Sequence, residues 1–115
     1  MKDITEITSI VDQYAKHDWV VRRVMLPPAS IAAVGPGLVS LYPDLEVIES
    51  LEEGIWFSRR TLPDREAWEL RRLSGSPFAL VAVLEDSFSE EEREDVLASI
   101  EQRMFDGSHR EPTSH

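Results

Sequence analysis

Apolar positions recur every three or four residues at the start of the chain. Ile4, Ile7, Ile10, Val11 and Tyr14 fall on one face of a helix running from Asp3 to His17. Asp3 and Glu6 stand at the spacing of a capping box, and Lys16 and His17 sit where a helix C-terminus favours cations. Trp19 to Leu26 is rich in β-branched and aromatic residues and ends at Pro27-Pro28, which predicts a strand with Arg22 and Arg23 facing opposite sides. From Ala29 to Tyr42 the pattern is open. Small apolar residues surround Gly35-Pro36-Gly37, and either two short strands or a broken helix satisfies them.

Leu45–Glu49 and Ile55–Arg60 read as a hairpin around Leu51-Glu52-Glu53-Gly54, with Ile48 opposite Phe57 and Glu46 opposite Arg59. Thr61, Pro63 and Asp64 read as the start of a short helix through Trp68, Leu70 and Leu73 that stops at Gly75. Phe78 to Leu84 is continuously apolar, the pattern of a central strand buried on both faces. Ser89 and Glu92 cap a last helix to Met104 whose stripe is Val96, Leu97, Ile100 and Met104. The expected fold is α+β: a mostly antiparallel sheet of four to five strands, N-terminal and C-terminal helices and one short inserted helix. Residues 1–105 form a single domain and 106–115 a flexible tail. Helices on one face alone would leave the other side of the sheet open, which makes a homodimer a reasonable expectation.

Composition narrows the function without fixing it. The 115 residues are 42% hydrophobic and 30% charged, as in globular domains, and carry a net charge of −10. That acidity disfavours nucleic acid and anionic membrane surfaces, so neither is an expected partner. The absence of cysteine removes disulfides and thiolate metal sites and suits a cytoplasmic protein. The start of the chain lacks a signal-peptide pattern, and no apolar run is long enough to span a bilayer.

The one positive stretch lies between residues 59 and 72, where Arg59, Arg60, Arg65, Arg71 and Arg72 face only three acids. Its planar guanidinium groups would suit an anion, or would simply pair with neighbouring acids. Trp56 and Trp68 are ambiguous between core packing and exposed interface anchors. The run Glu90, Glu91, Glu92, Glu94, Asp95 reads as dipole complement and solvated surface. His17, His109 and His115 have no metal-ligand spacing, and phosphate-loop, dinucleotide and nucleophile-elbow motifs are absent. No cofactor, metal site or catalytic residue is expected. Three function classes survive, in this order. The first is a non-enzymatic interaction or regulatory protein whose protein partners include itself, with Trp56, Arg59, Arg60, Trp68, Arg71 and Arg72 as its surface. The second is an anionic-ligand-binding domain using the same arginines, and the third an enzyme without a recognisable motif.

Overall fold

The computed structural model describes residues 3–74 and 78–109, with side chains as far as Phe105. Helix α1 (Ile4–Ala15) begins at the expected capping box: Glu6 N–H donates to Asp3 Oδ1 at 2.9 Å, and Asp3 N–H to Glu6 Oε1 at 3.1 Å. It closes with Asp18 in the left-handed region, φ 70°, and Trp19 N–H donating to the Tyr14 carbonyl at 3.1 Å. The accompanying edge contact between the Tyr14 and Trp19 rings, centroids 6.2 Å apart, is the apolar component of a Schellman closure.

Strand β1 (Val20–Leu26) is followed by helix α2 (Pro28–Leu41), which occupies the segment whose pattern was open. Pro28 presets the first turn, and Pro36 is carried inside the helix. Tertiary packing overrides the weak local propensity here: Val34, Gly35 and Leu38 are buried. The helix also explains the next correction. Strand β2 (Glu46–Glu49) is no hairpin partner of the following strand; it runs parallel to β1, with Val24 beside Val47 and Met25 beside Ile48. A parallel pair needs a crossover, and α2 supplies it. Glu46 therefore meets Arg23 at 3.0 Å instead of Arg59.

Strand β3 (Gly54–Leu62) pairs antiparallel with β1 and with β4 (Arg65–Arg72), and β4 with β5 (Ala79–Glu85). Among the described residues the order is β2-β1-β3-β4-β5, five strands with a single parallel pair. The short helix expected after Thr61 is thus strand β4. Its burial alternates from Trp68 to Arg71, and Pro63-Asp64 makes the turn of a hairpin. Gly75 and Pro77 lie outside the described residues. Phe78–Leu84 is likewise not central: β5 is an edge strand.

Helix α3 (Glu90–His109) starts at the Ser89/Glu92 box, with bonds of 2.7 and 3.1 Å, and continues past Met104 into the segment expected as a tail. It packs on the face opposite α1 and α2. Ile7, Ile10, Val11, Val34 and Leu38 meet Val24, Ile55 and Phe57 on one side; Leu97, Ile100 and Met104 meet Trp56, Trp68, Leu70 and Leu84 on the other. The fold is α+β with helices on both faces, so the expected bare side does not exist as a whole. What stays open is the β4–β5 half of the α1 side.

Candidate functional site

Strand alternation builds the floor of this open half. On β4, Trp68 and Leu70 point toward α3, which turns Glu69 and Arg71 to the α1 side. On β5, Ala82 and Leu84 are buried against α3, while Val81 and Val83 are 53% and 49% exposed. Phe78, just before β5, is 44% exposed. The wall is the C-terminal end of α1, where Tyr14 stacks on Phe57 with centroids 3.8 Å apart and planes 7° from parallel.

Two clefts adjoin that wall. One, of about 440 Å³, is lined by Gln13, Tyr14, Lys16, His17, Trp19 and Glu69. The other, of about 280 Å³, is lined by Tyr14, Arg71, Phe78 and Ala79. Tyr14 is common to both and donates its hydroxyl to Glu69 Oε2. Burial, then the bond to Glu69 and its charge, push the Tyr14 pKa above its ordinary value, with Arg71 opposing. The phenol is therefore a fixed neutral donor. Arg71 Nε is buried on this floor with no hydrogen-bond partner among the described residues.

The arginines are not gathered into one site. Arg59 donates to the His17 carbonyl at 2.8 Å and lies 4.7 Å from the Trp19 ring centroid, fastening β3 to the end of α1. Arg60 pairs with Asp86 at 3.2 Å and Glu66 at 3.4 Å, and Arg65 with Asp64 at 3.4 Å. Arg72 sits 5.6 Å from the Phe78 ring. Arg71 alone of the five lines a cleft described above.

The two tryptophans are not exposed anchors. Trp56 and Trp68 are 0% and 3% exposed, because β3 and β4 are central strands under α3. Each indole finds the partner that burial demands: Trp56 Nε1 donates to Glu101 at 2.8 Å and Trp68 Nε1 to Glu66 at 2.9 Å. A register shift between Val21 and Arg23 brings Arg22 and Arg23 to the same side, against the strict alternation expected. Their guanidinium carbons lie 5.0 and 5.7 Å from the Trp68 centroid, with Arg93 at 5.8 Å.

Tyr14, Glu69, Phe78, Val81 and Val83 are not among the site residues the sequence predicts. For Glu69 the signal was there in principle, an acid between Trp68 and Leu70 that belongs to the opposite face once the segment is a strand. No group of three or more metal-ligating side chains occurs among the described residues, and no helix among them is long and apolar enough to cross a membrane. No known protein family, curated protein or solved structure matches the chain.

Proposed function

We propose that this is a non-enzymatic interaction protein that engages a protein partner through the open β4–β5 half of its sheet. The observation that carries the reading is the exposure of Val81 and Val83 on an edge strand with no charged residue from Ala79 to Leu84, and of Phe78 just before it. Surface apolar residues scattered singly need no explanation, but a row along a free edge marks an association site. The clefts beside Tyr14 give the same face a polar end, with Glu69 and Arg71 available to a partner's side chains. The cysteine-free composition fits action in the cytoplasm. A photo-crosslinking residue at Val83, introduced into the full chain in cells, should give discrete protein adducts. The same residue at Ala98, exposed on α3, should not. Indistinguishable adducts at the two positions would end the reading.

A second reading attaches to Arg71 alone. Its unpartnered Nε beside a cleft supports weak binding of a small carboxylate or phosphate. Stabilisation by citrate or phosphate in a thermal shift, absent in Arg71→Ala, tests it.

A further inference from the structure

We infer that the partner on the β5 edge is a second copy of this chain, joined by antiparallel β5–β5 pairing across a two-fold axis. The inference rests on the interaction reading above and names its partner. It starts from the hydrogen-bond phase of β5. The register between β4 and β5 is unbroken, from Arg71 beside Ala79 to Arg65 beside Glu85. Beyond its two ends, Arg72 N–H donates to the Phe78 carbonyl at 2.8 Å and Asp86 N–H to the Asp64 carbonyl at 2.9 Å. Antiparallel pairs alternate between exchanging and not exchanging hydrogen bonds. Counting inward from both ends gives one answer: Leu80, Ala82 and Leu84 bond to β4. The N–H and C=O groups of Ala79, Val81 and Val83 therefore point out to the free edge, on residues whose side chains lie on the open face.

Edges are ordinarily blunted by shortness, charge, proline or a bulge. Strand β2, at the other end of the sheet, is short and carries Glu46 and Glu49. Strand β5 is longer, has no register shift and is apolar from Ala79 to Leu84.

Arg71 near one end and Glu85 at the other stand outside the ion pairs among the described residues, and they favour a copy of itself running antiparallel. Arg71 and Arg72 flank the start of β5, beside Ala79 and Phe78. Glu85 and Asp86 close it, with Asp86 paired to Arg60 at 3.2 Å and Arg65 of β4 beside Glu85. A two-fold axis carries Glu85 of each strand to the Arg71 end of the other. With Val81 opposite Val83 of the second copy, Glu85 of that copy falls opposite Ala79, one strand from Arg71 on the same face. The small Ala79 side chain leaves the guanidinium within reach. A parallel arrangement would instead set like charges side by side.

The decisive substitution follows from the phase. Val81→Pro removes an N–H that only a partner strand would use, whereas Ala82→Pro removes one that bonds to β4. Light scattering coupled to gel filtration should give twice the 13.1 kDa chain mass for the wild type at high micromolar concentration. Val81→Pro should give the single-chain mass with a wild-type circular dichroism spectrum. Val81→Lys, which keeps the N–H and places charge on the edge, should also dissociate the dimer and covers the case in which the proline variant does not fold. In wild-type protein the amides of Val81 and Val83 should be protected from hydrogen exchange only at concentrations where the dimer forms. A wild type that stays monomeric overturns the inference, as does a dimer that survives both variants. A monomer whose Val83 crosslinker still captures another protein removes the second copy while leaving the interaction reading intact; a monomer with no specific adduct removes both.

Discussion

Glu66 shows how one side chain ties several elements together. It stands on β4, accepts from the Trp68 indole at 2.9 Å, and faces Arg93 of α3 and Arg60 of β3, each at 3.4 Å. The indole bond, with the two guanidinium groups behind it, holds this carboxyl below its ordinary pKa, although burial works in the opposite direction. A carboxyl depressed in the fold contributes stability that is present above its unfolded pKa and is lost as the pH falls through the folded one. Glu66→Gln should therefore cost about 1 kcal/mol at neutral pH, because the amide keeps an acceptor for Trp68 but loses the charge facing Arg93 and Arg60. The difference from wild type should shrink as the pH drops below 4.5 and both proteins hold an uncharged group. Urea denaturation along a descending pH series measures it. A gap that stays constant into acid would show that the shape of the side chain matters here and its charge does not.

Helix α2 is the element in which local and tertiary preferences conflict most openly. Its glycines lower helix propensity, yet Gly37 sits where a Cβ would come within 2.6 Å of Ile4 Cδ1 on α1. The residue is kept small by a neighbour, and that neighbour is the end of a flexible side chain. Gly37→Ala alone should be close to neutral, with about 1 kcal/mol of helix propensity offset by displacement of Ile4. In an Ile4→Val background, which removes Cδ1, the same change should stabilise by about 0.5–1 kcal/mol. Equal effects in the two backgrounds would show that the contact does not constrain α2. The same conflict explains why this helix could not be read from the pattern of residues 29–42. Capping boxes at Asp3 and Ser89 and the stripes of α1 and α3 are local signals, and they were legible because both helices obey them. The Thr61–Asp64 signal was local too, but the same residue types serve a helix cap and a hairpin turn. Only the pairing of Arg65–Arg72 with two neighbours decides between them. A helical reading of that segment hides the alternation that turns Glu69 and Arg71 toward Tyr14, and most of the site with it. The exposure of Val81 and Val83 was hidden for a different reason: a continuous apolar run does not say whether its strand is central or at an edge.

The whole molecule must hold a net charge of −10 within a radius of gyration of 14.3 Å. Much of the positive charge is committed locally, Arg23 to Glu46 and Glu94 at 3.0 and 2.6 Å and Arg60 and Arg93 to Glu66 and Asp86 at 3.2–3.4 Å. Other acids, among them Glu90, Glu91 and Glu92 in the first turn of α3, face solvent and one another at longer range. The two populations respond differently to salt. At about 0.1 M ionic strength the screening length is about 10 Å, so ion pairs near 3 Å keep more of their attraction than charges across the molecule keep of their repulsion. The exposed pairs are in any case worth under about 1 kcal/mol each. Sodium chloride should therefore raise the melting temperature by a few degrees between about 10 mM and 0.5 M, a change on the scale of about 1 kcal/mol. The measurement belongs on Val81→Pro as well as on wild type, because association of two acidic chains is itself favoured by screening and would add to the shift. A comparable rise in both proteins would locate the repulsion within one chain. A larger rise in wild type would add a share relieved across β5, and a fall would mean that the ion pairs around Glu66 and Arg23 outweigh the acidic excess.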